Sequence, residues 1–176
     1  MKKFELTSES VTFLGKTLFR IKALVSFGDV AEGELGGFIE RENNLDQSGD
    51  AWVYGDARVY GDAQVFGDAR VCGDARVYGD ARVYGDAQVC GDAQVFGDAW
   101  VQNCRDYSAT SCFGSGNRTT TFFRTKDGGI SVRCGCFYGT LREFREKVKE
   151  RHGDSRLAKE YLMLADLMEF RLSKDE

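Results

Sequence analysis

Residues 53–101 read "VYGDARVYGDAQVFGDARVCGDARVYGDARVYGDAQVCGDAQVFGDAWV", with valine at every sixth position from Val53 to Val101 and no slip of register. A self-similar block of this kind decides the fold before any other feature is weighed. Each unit has the form V-x-G-D-A-x. Strand alternation turns Val, and the Ala two positions before it, to one side of the chain and the residues flanking Val to the other. Gly-Asp is turn chemistry, because Gly accepts positive φ and Asp hydrogen-bonds its own backbone.

A short strand and a turn in every six residues leave no length for hairpins. They predict a coil of three faces with about eighteen residues per turn, each strand pairing in parallel with the one about 4.8 Å above it. Stacking in this register puts Val53, Val71 and Val89 in one interior column, Val59, Val77 and Val95 in a second, and Val65, Val83 and Val101 in a third. Outside, Tyr60, Tyr78 and Phe96 form a ladder beside Arg58 and Arg76, Tyr54, Cys72 and Cys90 form another, and Phe66 sits below Tyr84.

Two readings of the first ladder stand together. Stacked rings stabilise successive rungs; alternatively the flat face packs against copies of itself, which makes Tyr60, Tyr78, Phe96, Arg58 and Arg76 an oligomer interface. The column Asp56 through Asp98 is open in the same way: it satisfies turn amides, or it imitates a phosphate backbone.

With Val and Ala at these positions the chain resembles the hexapeptide-repeat superfamily over roughly residues 39–102. The resemblance implies a left-handed parallel β-helix, and trimers formed through helix faces. The opening "IKALVSFGDVAEGELGGFIERENNLDQSGDAWVYGDA" resembles phage, prophage and bacterial members labelled hexapeptide transferase or polymer-forming protein. Acyltransferases of the superfamily use a coil histidine as general base, and γ-class carbonic anhydrases bind zinc through histidines. The one histidine here, His152, lies outside the repeat, so the expectation is no catalytic residue, no metal and no cofactor.

A stack of coils has raw ends that need covering. "TLFRIKALVSFGDV" alternates apolar and polar residues and predicts an N-terminal β cap over residues 1–44, ahead of a β-helix of about three coils over 45–104. After Val101 the period breaks. "RTTTFFRT" and "ISVRCGCF" joined by "KDGG" predict a β-hairpin. Thr140 with Glu143 is a capping box for a helix that Gly153 stops, and Leu157, Tyr161, Leu164 and Met168 stripe a second helix. Residues 105–176 are therefore expected to form an α+β domain.

Net charge is −4, yet residues 102–139 carry 5 basic and 2 acidic groups and are the only positive segment. A broad nucleic-acid face is excluded, while a small anion site in this segment is allowed. "GSGNRTTTFFRTK" is the stretch nominated for a ligand. Its glycines let backbone amides converge, and Ser115, Asn117, Arg118, Thr119, Thr120, Arg124 and Lys126 supply the donors and positive charge of an anion or nucleotide pocket. It has neither the ending of a P-loop nor the context of a dinucleotide fingerprint.

Cys104, Cys112, Cys134 and Cys136 lack the paired spacing of a zinc site. With no secretory signal or spanning segment read in the chain, a cytoplasmic location with reduced thiols is expected.

The function these observations predict is non-enzymatic. A rigid β-helix shaft, assembled as a trimer or dimer, presents C-terminal heads that bind a host protein or a small anionic or nucleotide ligand. In a phage setting this would serve counter-defence, by inhibiting a host immune effector or sequestering its nucleotide signal. The competing classes are an acyltransferase-like enzyme of the hexapeptide type and a structural polymer.

Overall fold

In a computed structural model, residues 2–173 are described. An antiparallel hairpin of β1 (Phe4–Phe13) and β2 (Lys16–Ala23) leads into β3 (Leu35–Ile39). Nine two-residue strands follow: β4 (Trp52–Val53), β5 (Arg58–Val59), β6 (Gln64–Val65), β7 (Arg70–Val71), β8 (Arg76–Val77), β9 (Arg82–Val83), β10 (Gln88–Val89), β11 (Gln94–Val95) and β12 (Trp100–Val101). They wind into a parallel β-solenoid whose faces are β4-β7-β10, β6-β9-β12 and β5-β8-β11. The last of these continues through β3 into the hairpin, making one six-stranded sheet.

The valine columns stack as the period requires, for example Val59 on Val77 and Val77 on Val95. Every repeat Val and Ala is at most 1% exposed. At the turns, Gly55 through Gly97 hold φ between 60° and 72°, the left-handed region that costs glycine least.

The solenoid has about four turns, one more than the three read from the valine repeat. The additional turn is made by residues outside the V-x-G-D-A-x pattern. Ile39 pairs with Val59, and Leu45 bridges to Val65. The Asn44 side chain donates to the carbonyls of Gly61 and Ala63 at 3.0 and 2.9 Å, replacing backbone pairing where the repeat motif is missing.

Each end of the valine core is closed by different chemistry. At the lower end Trp52 lies edge-on to Phe4 and Phe27, with centroids 6.2 and 5.3 Å apart. Lys3 Nζ donates to the carbonyls of Ser48, Gly49 and Ala51. Burial holds this ammonium down to a pKa of about 8, against the pull of Asp46 and Asp50.

The upper end is closed by an antiparallel sheet of β13 (Tyr107–Phe113), β14 (Arg118–Arg124), β15 (Ile130–Cys134) and β16 (Phe137–Thr140). It is backed by α1 (Leu141–His152) and α2 (Arg156–Leu172). The expected hairpin is its centre; β13 and β16 add an edge on each side.

Alternation along β14 divides two cores. Phe123 packs into the solenoid core, while Phe122 joins Val132, Leu141, Phe144, Tyr161 and Leu164 in the head. The Thr140–Glu143 capping box forms, and Gly153 ends α1. Tyr161, Leu164 and Met168 are buried on α2, and Leu157 is half-buried.

The expectation of reduced thiols is corrected at one pair. Cys72 and Cys90 occupy the same outward position in successive coils, which sets their Cα atoms 4.6 Å apart, and they form a disulfide. That separation is within the span a disulfide bridges. Cys104, Cys112, Cys134 and Cys136 are free. No helix among the described residues is long and apolar enough to cross a membrane.

Candidate functional site: a cationic cleft in the C-terminal head

The head contains a cleft of about 410 Å³ between the β13–β14 turn, the β15–β16 turn and α1. Its floor is aromatic: Phe113 and Phe144 lie 6.1 and 5.8 Å from Tyr161, and Phe137 lies 5.5 Å from Phe144. Its rim is basic, formed by Arg118, Lys147, Arg151 and His152.

Local structure explains how these groups meet. Val148 faces the head core from α1, so Lys147 and Arg151, one turn apart, flank the buried stripe and reach the rim. Residues 114–117 make a tight turn in which Asn117 takes φ 45°, a conformation Asn tolerates better than most residues. The Ser115 amide donates to Tyr161 Oη at 3.0 Å, tying that turn to α2. The His152 ring stacks on Tyr161 at 5.7 Å. Lys147 is held by Glu150 at 2.8 Å, whereas Arg118 and Arg151 make no ion pair among the described residues.

The nominated ligand residues therefore separate into three groups. Ser115 and Arg118 line the cleft. Asn117 and Thr119, with Arg118 between them, line a second groove against Asp74, Arg76, Asp92 and Gln94.

The remaining nominated residues are structural. Thr120 is buried and donates to Cys134 Sγ. Arg124 lies 3.1 Å from buried Asp106 and donates to the carbonyls of Leu172 and Ser173 at the end of α2, where a cation complements the helix dipole. Lys126 stands 5.9 Å over the Trp100 ring. Alternation on β14 turns Thr119 away from Arg118, Thr120 and Arg124, and these three are spread along the length of the strand, so one continuous stretch does not line one pocket.

Lys147, Arg151 and the aromatic floor were not singled out as ligand residues. The legible signal was two basic residues at i, i+4 on the helix that carries Phe144 and Val148.

The ladder residues are placed differently from a free interface. Tyr60, Tyr78 and Phe96 do stack, at 5.0 and 4.6 Å. Tyr60 is only 6% exposed because the hairpin folds over it, with Phe13 edge-on at 5.8 Å. Arg58 and Arg76 lie over the same Phe13 ring at 4.6 and 4.9 Å. At the other end Tyr138 of β16 meets Phe96 at 4.3 Å. Burial pushes the Tyr60 phenol up to about 12.

Among the described residues no group of His, Cys, Asp and Glu is arranged to hold a metal ion.

Parallel two-residue strands wound on a valine and alanine core define the protein as a β-solenoid of the β-helix superfamily. Residues 51–67 and 75–91 match the family model described as YdcK Beta solenoid repeat, and these segments are less than half of the chain. No curated protein matches it.

Proposed function

We propose that the protein is a non-enzymatic binding protein whose solenoid is a rigid shaft and whose head binds a small anionic ligand with an apolar or aromatic body. The observation carrying this reading is the head cleft, where Arg118, Lys147 and Arg151 surround the rings of Phe113, Phe137, Phe144 and Tyr161. Guanidinium groups favour phosphate and carboxylate through charge-assisted hydrogen bonds, and the rings offer the apolar remainder of a nucleotide a dry surface. The finer reading is a left-handed, hexapeptide-type solenoid in a phage setting, sequestering a nucleotide signal in the host cytoplasm.

Calorimetric titration with adenosine monophosphate tests the cleft. Saturable binding is expected, weakened about tenfold or more by Arg151→Gln and by Arg118→Gln, the scale of one charged hydrogen bond. Equal affinity in the wild type and both variants would remove the cleft from the function.

Assembly into a dimer or trimer belongs to the same reading, with several heads on joined shafts giving avidity. The β6-β9-β12 face favours this, because Phe66 and Tyr84 stack there at 5.0 Å with Trp100 edge-on to Tyr84 at 6.3 Å, and Phe66 and Tyr84 remain partly exposed. Native mass spectrometry should give a discrete oligomer that loses subunits in Tyr84→Lys. A monomer in the wild type would sink the assembly.

A further inference from the structure

The hairpin, the solenoid and the head meet along the β5-β8-β11 face. Arg58 and Arg76 rise from the solenoid beside Tyr60 and Tyr78, and Arg133 on β15 reaches the same ladder, its guanidinium 5.5 Å from the Phe96 ring. Tyr138 supplies a third phenol, from β16. The solenoid and the head thus bring three guanidinium groups to one aromatic ladder, and the hairpin covers it with Phe13.

These charges have no carboxylate in direct contact among the described residues, although Asp74 and Asp92 share a groove with Arg76. None of Arg58, Arg76 and Arg133 forms an ion pair among the described residues, although other arginines pair with Glu9, Asp29, Asp62, Asp106 and Asp166. The Nε atoms of Arg58 and Arg133 are shut off from solvent yet have no hydrogen-bond acceptor. A buried guanidinium N–H without an acceptor is costly. Stacking on Phe13 and Phe96 explains where the planes lie but accepts no hydrogen from them. The Tyr60 phenol is raised by burial and pulled back by Arg76, Arg58 and Arg133 together, so all three charges act on the same point.

We propose that this junction is a second ligand site, distinct from the head cleft, and that it takes a compact multiply charged oxyanion of the phosphate class, free or as the terminal group of an ester. The anion supplies the acceptors that the orphaned Nε–H groups lack. It also neutralises positive charge gathered along one ladder, and it ties the solenoid to the head through one ion.

The test uses full-length Arg118→Gln/Arg151→Gln protein, in which the head cleft is disabled, titrated calorimetrically with inorganic phosphate and separately with phenyl phosphate. One saturable site is expected, weakened about tenfold or more by adding Arg133→Gln or Arg58→Gln and largely kept by Arg133→Lys. Tighter binding of phenyl phosphate identifies an ester as the ligand, and equal binding identifies the free ion. Absence of saturable binding in the cleft-disabled protein, or affinity unchanged by both glutamine substitutions, overturns the proposal. If Arg133→Gln fails to fold, Arg58→Gln decides. Failure here leaves the cleft reading standing, since that rests on Arg118 and Arg151 in the protein with this junction intact.

Discussion

The solenoid and the head solve the same problem with opposite means. Inside the solenoid every repeat position is valine or alanine, no more than 1% exposed, and each rung copies the one below. The head closes on rings of unlike orientation: Phe122 and Phe144 meet at 89°, Phe137 and Phe144 at 53°. Copying fills the solenoid interior, and the cationic, aromatic-floored cleft opens in the head, where shapes differ. Regularity makes a shaft and irregularity makes a site.

That contrast can be attacked at the strand both cores share. Phe123→Ala should uncover the top of the valine core and cost about 3–5 kcal/mol, read as a lowered urea midpoint. Because Phe122 and Phe123 are adjacent on β14 and serve different cores, solenoid and head should lose structure in one transition. Two separated transitions, the head melting on its own, would show that the cores are independent.

Opening the Cys72–Cys90 disulfide by Cys72→Ser acts on the shaft alone. The bond spans a sequence separation of 18, and closing a loop of this size is worth at most about 3 kcal/mol. A fall in thermal stability with the head's near-ultraviolet signal unchanged is the expected outcome.

The smallest effect is one of pH. The Tyr60 phenol sits near 12 when folded, against about 10 for an unburied tyrosine. Between these values the folded protein keeps a proton that the unfolded chain releases. Stability is therefore whole below pH 10 and falls as pH rises through 12, by about 1 kcal/mol at pH 11. Phe13→Ala, by exposing the ring, should move the late step in tyrosinate absorbance to lower pH. A step that does not move would mean the hairpin does not bury Tyr60.

Much of the fold was legible because one physical rule repeats. Valine every sixth residue, with Gly-Asp between, allows a single register, and Thr140 with Glu143 marks a helix start by local hydrogen bonds alone. What escaped depended on non-local closure. Ile39 and Leu45 stack without the motif, and "YSATSCF" of β13, a sheet edge, buries none of its residues fully and so lacks the pattern of a core strand.

The covering of Tyr60 was hidden for the same reason, since nothing in "VTFLGK" states where its hairpin will lie. The disulfide was the opposite case. Cys72 and Cys90 stood in one column at the repeat distance, but the thiols were read from the expected compartment and not from that spacing. In the cleft, Ser115 and Arg118 were reachable from sequence, whereas Lys147 and Arg151 needed the docking of α1.

The hairpin and strand β16 touch the same face of the shaft, Phe13 at Tyr60 and Tyr138 at Phe96. Coil count thus works as a phase setting between the two ends. Deleting one whole turn, residues 60–77, would shorten the shaft by a rung and keep both ends in phase. Deleting a single unit, residues 78–83, would rotate the head onto a neighbouring face, separating Arg133 from Arg58 and Arg76 although every remaining coil could still pack.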